Sequence, residues 1–482
     1  MALDMAATEV TRDEMQARLE RMKAAHLSEG APSAEERMAR LATAIRLLAD
    51  NSDALTRAVS EDFGHRSGDQ TRMADMVQSI AAMKFSQQHL KRWMKTDKRN
   101  VEFPLGLLGA KARLHYQPKG VVGIVAPWNF PVSMVFTPLA GIFAAGNRAI
   151  AKPSEFTPRT SDLMAELIAK HFDPDVFTCF TGGSDVGAAF TALPFDHIIF
   201  TGSTSVGRHV MRAAAENLTP VTLELGGKSP TIVSDTADME KAALRIMHGK
   251  TLNAGQICTA PDYVLVPEGT ERAFVAEATK AVETMYPAGL KDNDDYTSIV
   301  NQRHFERLQG LIEDARQKGA EVFEINPRGE DFSQQPAHKL PPTLLLNTTD
   351  DMAVMQEEIF GPVLPVRGVA SVDAAIADIN ARPRPLALYY FGEDSDERER
   401  VLSRTTSGGV TINDTLFHVA QEDLPFGGTG PSGMGHYHGR EGFLEFSHAK
   451  AVYTQTGSGL LKMFMPPYGN TFRKQMEKRL KA

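Results

Sequence analysis

The sequence is poor in cysteine. Its 482 residues carry two, Cys179 and Cys258. Two thiols exclude a disulfide scaffold and a multi-cysteine zinc module, and they suit a reducing compartment, the cytoplasm. Long apolar runs are missing too. None reaches the ~18 residues that a membrane-spanning helix needs. The longest C-terminal candidate, Gly459–Pro467, is short and broken by Lys462. The opening MALDMAATEVTRDEMQARLE has neither the basic start nor the apolar core of a secretory signal. Positive charge is not in excess: 52 Lys and Arg face 60 Asp and Glu, a net charge of −8. That balance gives nucleic acid no broad electrostatic footprint. No internal repeat or low-complexity stretch occurs.

What is present fits a folded, multi-part protein. Hydrophobic residues make up 42% and charged residues 23%, near globular averages. The first 95 or so residues read as helices. Thr11 with Glu14, and Ser33 with Glu36, have capping-box spacing. Met38, Leu41, Ile45 and Leu48 recur at helical spacing, as do Met73, Met76, Ile80 and Met83, which read as core filler. From residue 113 short apolar runs alternate with helical stretches. Val121–Ala126, Arg148–Ala151, Val176–Phe180, His197–Phe200 and Val221–Leu223 read as strands, with Ser161–His171 and Gly207–Asn217 as helices between them. The alternation resumes with Thr231–Ser234, Asp238–His248, a helix through Phe305 and Ala315 ended by Gly319, Thr343–Leu346 and Val363–Val366. Such alternation predicts parallel sheets in an α/β fold, in two blocks meeting near residue 225 with a cleft between them. Residues 326–342 read as a surface loop, and the basic tail Arg473–Ala482 as a solvated helix end.

Several turns carry chemistry. Pro127-Trp128-Asn129-Phe130-Pro131 follows the first strand, where parallel sheets place ligands. Asn129 there is either an oxyanion donor or a structural turn residue. Lys152 and Glu155 follow the next strand and form either a ribose clasp or a surface ion pair. An acid at this place accepts ribose hydroxyls and repels a 2′-phosphate, which favours NAD over NADP. Phe200 to Gly207 is a glycine-bearing strand–helix turn, open to close approach by a cofactor. Glu224 has Val221, Leu223 and Leu225 beside it. An apolar setting raises a carboxyl pKa and suits a general base, although a buried structural glutamate reads the same way. Gly255-Gln256-Ile257-Cys258 carries a thiol that is either a nucleophile or a buried inert group. Cys179, in a strand, reads as inert. His436-Tyr437-His438 lacks the further spaced ligands of a metal site, so no metal is expected. Phe136, Leu416 and Phe417 are candidate pocket residues.

In order along the chain, PWNFP, KPSE, FTGSTSVG, LELGGK, GQIC, EEIFGP and PFGG resemble the NAD(P)-dependent aldehyde dehydrogenase superfamily. The stretches from Gly408 to Gly428 and from Pro431 to Phe443 resemble its class 3 branch, and within it the enzymes that oxidise coniferyl aldehyde. The resemblance implies a Rossmann-like cofactor domain (1–97 and 119–225), an α/β catalytic domain (226–433) and a bridging, oligomerising segment (98–118 and 434–482). It implies Cys258 as nucleophile, Glu224 as the base that activates water, and Asn129 with the Cys258 N–H as oxyanion hole. It puts Glu358 on the nicotinamide ribose with Phe360 beside it, and Lys152 and Glu155 on the adenosine ribose. Trp128, Gly202, Ser203, Gly207 and Leu225 would complete the cofactor site. The expected activity is oxidation of an aromatic or cinnamyl-type aldehyde to its acid, with NAD preferred and NADP possible. The expected assembly is a homodimer without membrane anchor. A fatty or other aliphatic aldehyde is the alternative substrate. A non-catalytic protein on the same fold would lack Cys258 or Glu224, and a coenzyme A-acylating enzyme would lack Glu224; both residues are present.

Overall fold

A computed structural model describes residues 10–103, 105–456, 462 and 464–481. Residues 1–9 of the N-terminal stretch, and 459–461 and 463 of the Gly459–Pro467 run, lie outside the described residues. The N-terminal part is helical through Trp93. Both capping boxes form: the Thr11 and Ser33 hydroxyls accept from the N–H groups of Glu14 and Glu36, whose carboxyls accept in return from the backbone N–H of the capping residue. Each box satisfies two of the N–H groups that a helix start leaves open. The buried face of Ala34–Asp50 runs through Arg37, Leu41, Ala44, Leu47 and Leu48. Met38 and Ile45, expected there, are only half-buried.

The stretch from Arg72 to Val77 is a π-helix set into the helical run. Its wider turn rotates the side chains away from the 3.6-residue pattern. Asp75 and Met76 go inward, while Met73 and Val77 are 50% and 61% exposed. The expectation that the methionines of this run are all core filler therefore fails at Met73.

Two sheets follow. The first has six strands in the order Gly433–Met434, Val221–Leu225, His197–Gly202, Val121–Val125, Arg148–Lys152, Phe177–Cys179. The last five are parallel, and Gly433–Met434 runs antiparallel at the edge. Numbered along the chain, the five read 3-2-1-4-5 from Phe177–Cys179 across, the dinucleotide-binding order. Its topological switch point lies between Val121–Val125 and His197–Gly202. The second sheet has seven strands: Glu321–Glu324, Thr343–Leu346, Val363–Val369, Tyr263–Pro267, Pro230–Val233, Ala387–Phe391, Gly409–Ile412. Only Glu321–Glu324 runs antiparallel to its neighbour. Its strands are apolar on both faces, as sheets covered on both sides require. Tyr263 and Leu265 join one core cluster, Val264 and Val266 the other.

These sheets and the N-terminal helices form one compact unit, reaching to Trp93 and then from Pro118 to Ser447. Residues 434–447, expected in the bridging segment, belong to it. Gly439–Glu445 packs on Ser133–Ala145. A second unit comprises Met94–Gln117 and the chain from His448 on. It contains a three-stranded sheet of Asp97–Arg99, Lys111–Pro118 and Ser447–Thr454, and the helix Asn470–Leu480, which buries no residue. The loop from 326 to 342 is not wholly superficial. Lys339 and Leu340 are buried, and the Lys339 ammonium donates to the Asn293 carbonyl at 2.7 Å. Among the described residues, no helix is long and apolar enough to cross a membrane.

Candidate active site

A cavity of about 1160 Å³ opens at the switch point and reaches toward the second sheet. Trp128, Asn129, Gly202, Ser203, Glu224, Leu225, Cys258, Glu358 and Phe360 all line it. Nine of the twelve residues expected in the site are thus brought together. The other three stand outside the lining. Lys152 is buried and its ammonium donates to the exposed Glu155 carboxyl at 3.2 Å. Gly207 lies on the buried side of the helix Thr204–Ala215, where a Cβ would stand 2.6 Å from Leu225 Cδ2. Its role here is close packing of helix on strand.

Cys258 ends a distorted turn. Asn253, Ala254 and Gly255 all have left-handed backbone, with φ of 49°, 50° and 71°. For residues with a Cβ this conformation costs energy and needs external restraint. Side-chain amides supply it. Asn253 Nδ2 donates to the carbonyls of Asn129 and Gln256, each at 3.1 Å. Gln256 Nε2 donates to the carbonyls of Asn253 (2.9 Å) and Ser298 (3.0 Å), while its Oε1 accepts from Val300 N–H at 3.0 Å. At Gly255 a Cβ would collide with the Gly361 carbonyl. Glycine and glutamine in GQIC thus shape the turn that carries the thiol.

The Cys258 thiol is half-buried and desolvated. Desolvation, reinforced by the Glu358 and Glu224 carboxyls, pushes it up to about 12, against the Cys258 and Thr259 N–H groups that favour the thiolate. Cys179 is also half-buried, not fully buried as expected, and desolvation pushes its thiol up to about 12. It lies outside the cavity lining.

Glu224 projects from Val221–Leu225 with both carboxyl oxygens buried and without a hydrogen-bond partner. Burial raises its pKa well above the usual range, with the Glu445 charge adding to it. The expected upward shift is present, but the expected walls are not. Strand alternation puts Leu223 and Leu225 on the other face, in a core cluster with Phe200 and Val210. Opposite Glu224 is Gly427, where a Cβ would stand 3.0 Å from Oε1.

Asn129 is held from both sides. Its Nδ2 donates to the Gln256 carbonyl at 3.0 Å, and its own carbonyl accepts from Arg66 Nη1 at 2.7 Å. Arg66 and Asp75 form a fully buried ion pair, 3.0 Å apart. Asp75 Oδ1 accepts from the N–H groups of Val132 and Ser133 at 3.1 and 2.9 Å. This pair had no sequence signal, because Arg66 lies in the short loop after Ser52–Asp62 and Asp75 in the π-helix, neither within a motif.

Glu358 comes from the segment before Val363–Val369. Lys228 ties that segment to the first sheet's exit by donating to the Val354 and Glu357 carbonyls at 2.7 and 3.1 Å, beside its ion pair with Asp262. A Cβ on Gly226 would occupy the space of the Glu358 carboxyl. Glu358 Oε1 is buried without a partner. Desolvation, then the Asp262 charge, pushes this carboxyl up to about 8 despite the Gly227 N–H, Lys228 and Arg307. Phe360 meets Trp128 edge-on at 5.3 Å, and His304 packs on Trp128 at 4.9 Å. Sequence reasoning missed His304, Tyr437, Met73 and Glu422 in the lining; Leu416 and Phe417 do line it. Phe136 does not: it is core, edge-on to Phe177 at 6.2 Å.

A 3-2-1-4-5 sheet whose switch point opens onto a thiol and buried carboxyls with unpaired oxygens defines the class of dinucleotide-dependent oxidoreductases. Within that class the chain belongs to the aldehyde dehydrogenase family, whose family model matches residues 5–452. It is an NAD(P)-dependent oxidoreductase acting on aldehyde groups. A Caulobacter vibrioides protein described as a probable coniferyl aldehyde dehydrogenase is 58% identical over 466 residues, covering 96% of both chains. Coniferyl aldehyde dehydrogenase of a Pseudomonas species is 53% identical over 461 residues, covering 95% of both. Among solved structures, Staphylococcus aureus AldH in a substrate-bound state superposes with a TM-score of 0.89 at 37% identity, covering 96% of this chain and 99% of that one.

Proposed function

We propose that this enzyme oxidises an aromatic, cinnamyl-type aldehyde, of which coniferyl aldehyde is the type, to the carboxylic acid. The observation that carries the reading is one cavity lined by Cys258, Asn129 and Glu224 together with the apolar Met73, Val77, Met134 and Phe417. The two relatives described above for coniferyl aldehyde support the substrate class.

In this reading the Cys258 thiolate attacks the aldehyde carbon, forming a thiohemiacetal. The Asn129 side-chain amide and the Cys258 backbone N–H hold the oxyanion, an interaction worth about 3 kcal/mol in the transition state. NAD(P), when bound, supplies the two-electron acceptor for the hydride that leaves the substrate carbon. A thioester on Cys258 results. Glu224 takes a proton from water, the water oxygen attacks the thioester, and the C–S bond breaks to release the acid and the thiolate. The Glu358 carboxyl suits a ribose hydroxyl, since its buried Oε1 lacks a donor. Ser203 at the start of Thr204–Ala215, with Gly202 before it, suits the pyrophosphate. Lys152 and Glu155 serve the adenosine ribose, and Glu155 favours NAD over NADP. Residues 1–97 and 119–225 form the cofactor domain and 226–433 the catalytic domain. A cytoplasmic homodimer completes the proposal.

An aldehyde panel run with both cofactors tests it. Coniferyl aldehyde with NAD should give the highest kcat/KM. A higher value for hexanal or a long-chain aldehyde overturns the substrate class.

A further inference from the structure

The segment between the strand Gly409–Ile412 and the bridge at Phe426 carries a carboxyl that the chemistry above does not use. Glu422 lines the same cavity as Cys258. Both of its oxygens are buried and neither has a hydrogen-bond partner. An acceptor shut away from water without a donor costs free energy unless a ligand supplies one. Tyr437 links the two regions: its hydroxyl is influenced by the charges of Glu224, Cys258 and Glu422 alike.

Glu422 is also held in place. The segment's backbone is tied by Gln78 Nε2 donating to the Val419 carbonyl at 3.4 Å and by the His418 N–H donating to Thr411 Oγ1 at 3.2 Å. A Cβ on Gly439 would collide with the Glu422 carbonyl, so the main chain is pinned against the next segment. The residue before that glycine, His438, keeps φ at 97° and stacks on Phe426 at 5.3 Å. Strained backbone persists where the surroundings over-determine it, and such places cluster at ligand clamps.

We propose that Glu422 determines specificity at the far end of the aldehyde by accepting a hydrogen bond from a hydroxyl on the substrate ring, so that phenolic aldehydes are selected over their ethers. Burial pushes the Glu422 carboxyl up to about 7, so near neutral pH a large share of it is carboxylate, and its unpaired oxygens are open to a phenol O–H. The inference rests on the aromatic-aldehyde reading and deepens it from an apolar fit to recognition of one polar group. A site built to bond a hydroxyl rejects the analogue lacking it, because its polar atom is then left unpaired.

The test compares kcat/KM for coniferyl aldehyde and its 4-O-methyl ether in wild type, Glu422→Leu and Glu422→Gln. Wild type should favour the phenol by about 10- to 100-fold. The leucine variant should bring the ratio near one, and the glutamine variant, which keeps an acceptor oxygen, should fall between. Each ratio is taken on a single preparation, so a reduced folded fraction cancels. A wild-type ratio near one, or an unchanged ratio in Glu422→Leu, overturns the proposal. If both cinnamyl aldehydes are turned over no better than hexanal, the underlying aromatic reading falls and this one with it.

Discussion

Asn129 donates its side-chain amide to the main-chain carbonyl of Gln256 across 3.0 Å, two residues before Cys258. The proposed oxyanion donor and the turn that carries Cys258 are therefore one hydrogen-bonded assembly. Asn129→Ala should lower kcat by about 10²- to 10³-fold, the usual cost of one oxyanion donor. Initial rates of NADH formation check this, and an unchanged kcat rejects the role.

In the proposed mechanism Glu224 sets the second half of the reaction. Glu224→Gln should still form the thioester but hydrolyse it slowly. Stopped-flow mixing should show a burst of NADH near one equivalent per site, then a steady rate reduced by about 10²- to 10⁴-fold. Loss of the burst along with the steady rate would place Glu224 before acylation instead.

Glu358 makes a prediction about stability. Its pKa rises from an unfolded value near 4.5 to about 8 in the fold. The folded state thus binds more protons across that window, and stability falls as pH rises through it. Glu358→Gln has no such dependence. The variant's Tm minus the wild-type Tm should grow from pH 5 to pH 8 and level off above. Thermal scans at a series of pH values measure it, and a difference independent of pH contradicts the assignment.

Arg66 and Asp75 pair with no exposed side-chain surface. Removing one partner leaves a buried charge uncompensated, at a cost of about 3–5 kcal/mol. Asp75→Ala should show that loss in urea unfolding. It should also lower kcat, since Arg66 would no longer be fixed beneath the Asn129 carbonyl. Wild-type stability in the variant would remove the pair from the support of the site.

Features set by neighbouring residues were legible in the sequence. The capping boxes at Thr11 and Ser33 need only residues three apart, and the five parallel strands of the first sheet and three of the seven in the second announce themselves as short apolar runs. Motif order led to Cys258, Asn129, Glu224 and Glu358 in one cavity. Features set across the chain were not legible. Gly427, which faces Glu224, comes from a loop beyond the second sheet, so the apolar neighbours in sequence were taken for walls that strand alternation turns away. Met73 was misassigned because the π-helix breaks the 3.6-residue period on which the reading relied. Glu422 lies in the Gly408–Gly428 stretch that carries the class 3 resemblance, but nothing there marks it as buried with both carboxyl oxygens unpaired, which depends on the packing of distant segments.

The edge strand Gly433–Met434 has a consequence for biosynthesis. It closes the first sheet beside Val221–Leu225, yet it is made close to the other end of the chain. On the ribosome, the strand bearing Glu224 keeps a bare edge while the whole second sheet is being translated. Synthesis of the second sheet, and not only of the first sheet's parallel strands, must therefore precede the moment at which the strand carrying Glu224 gains its last neighbour.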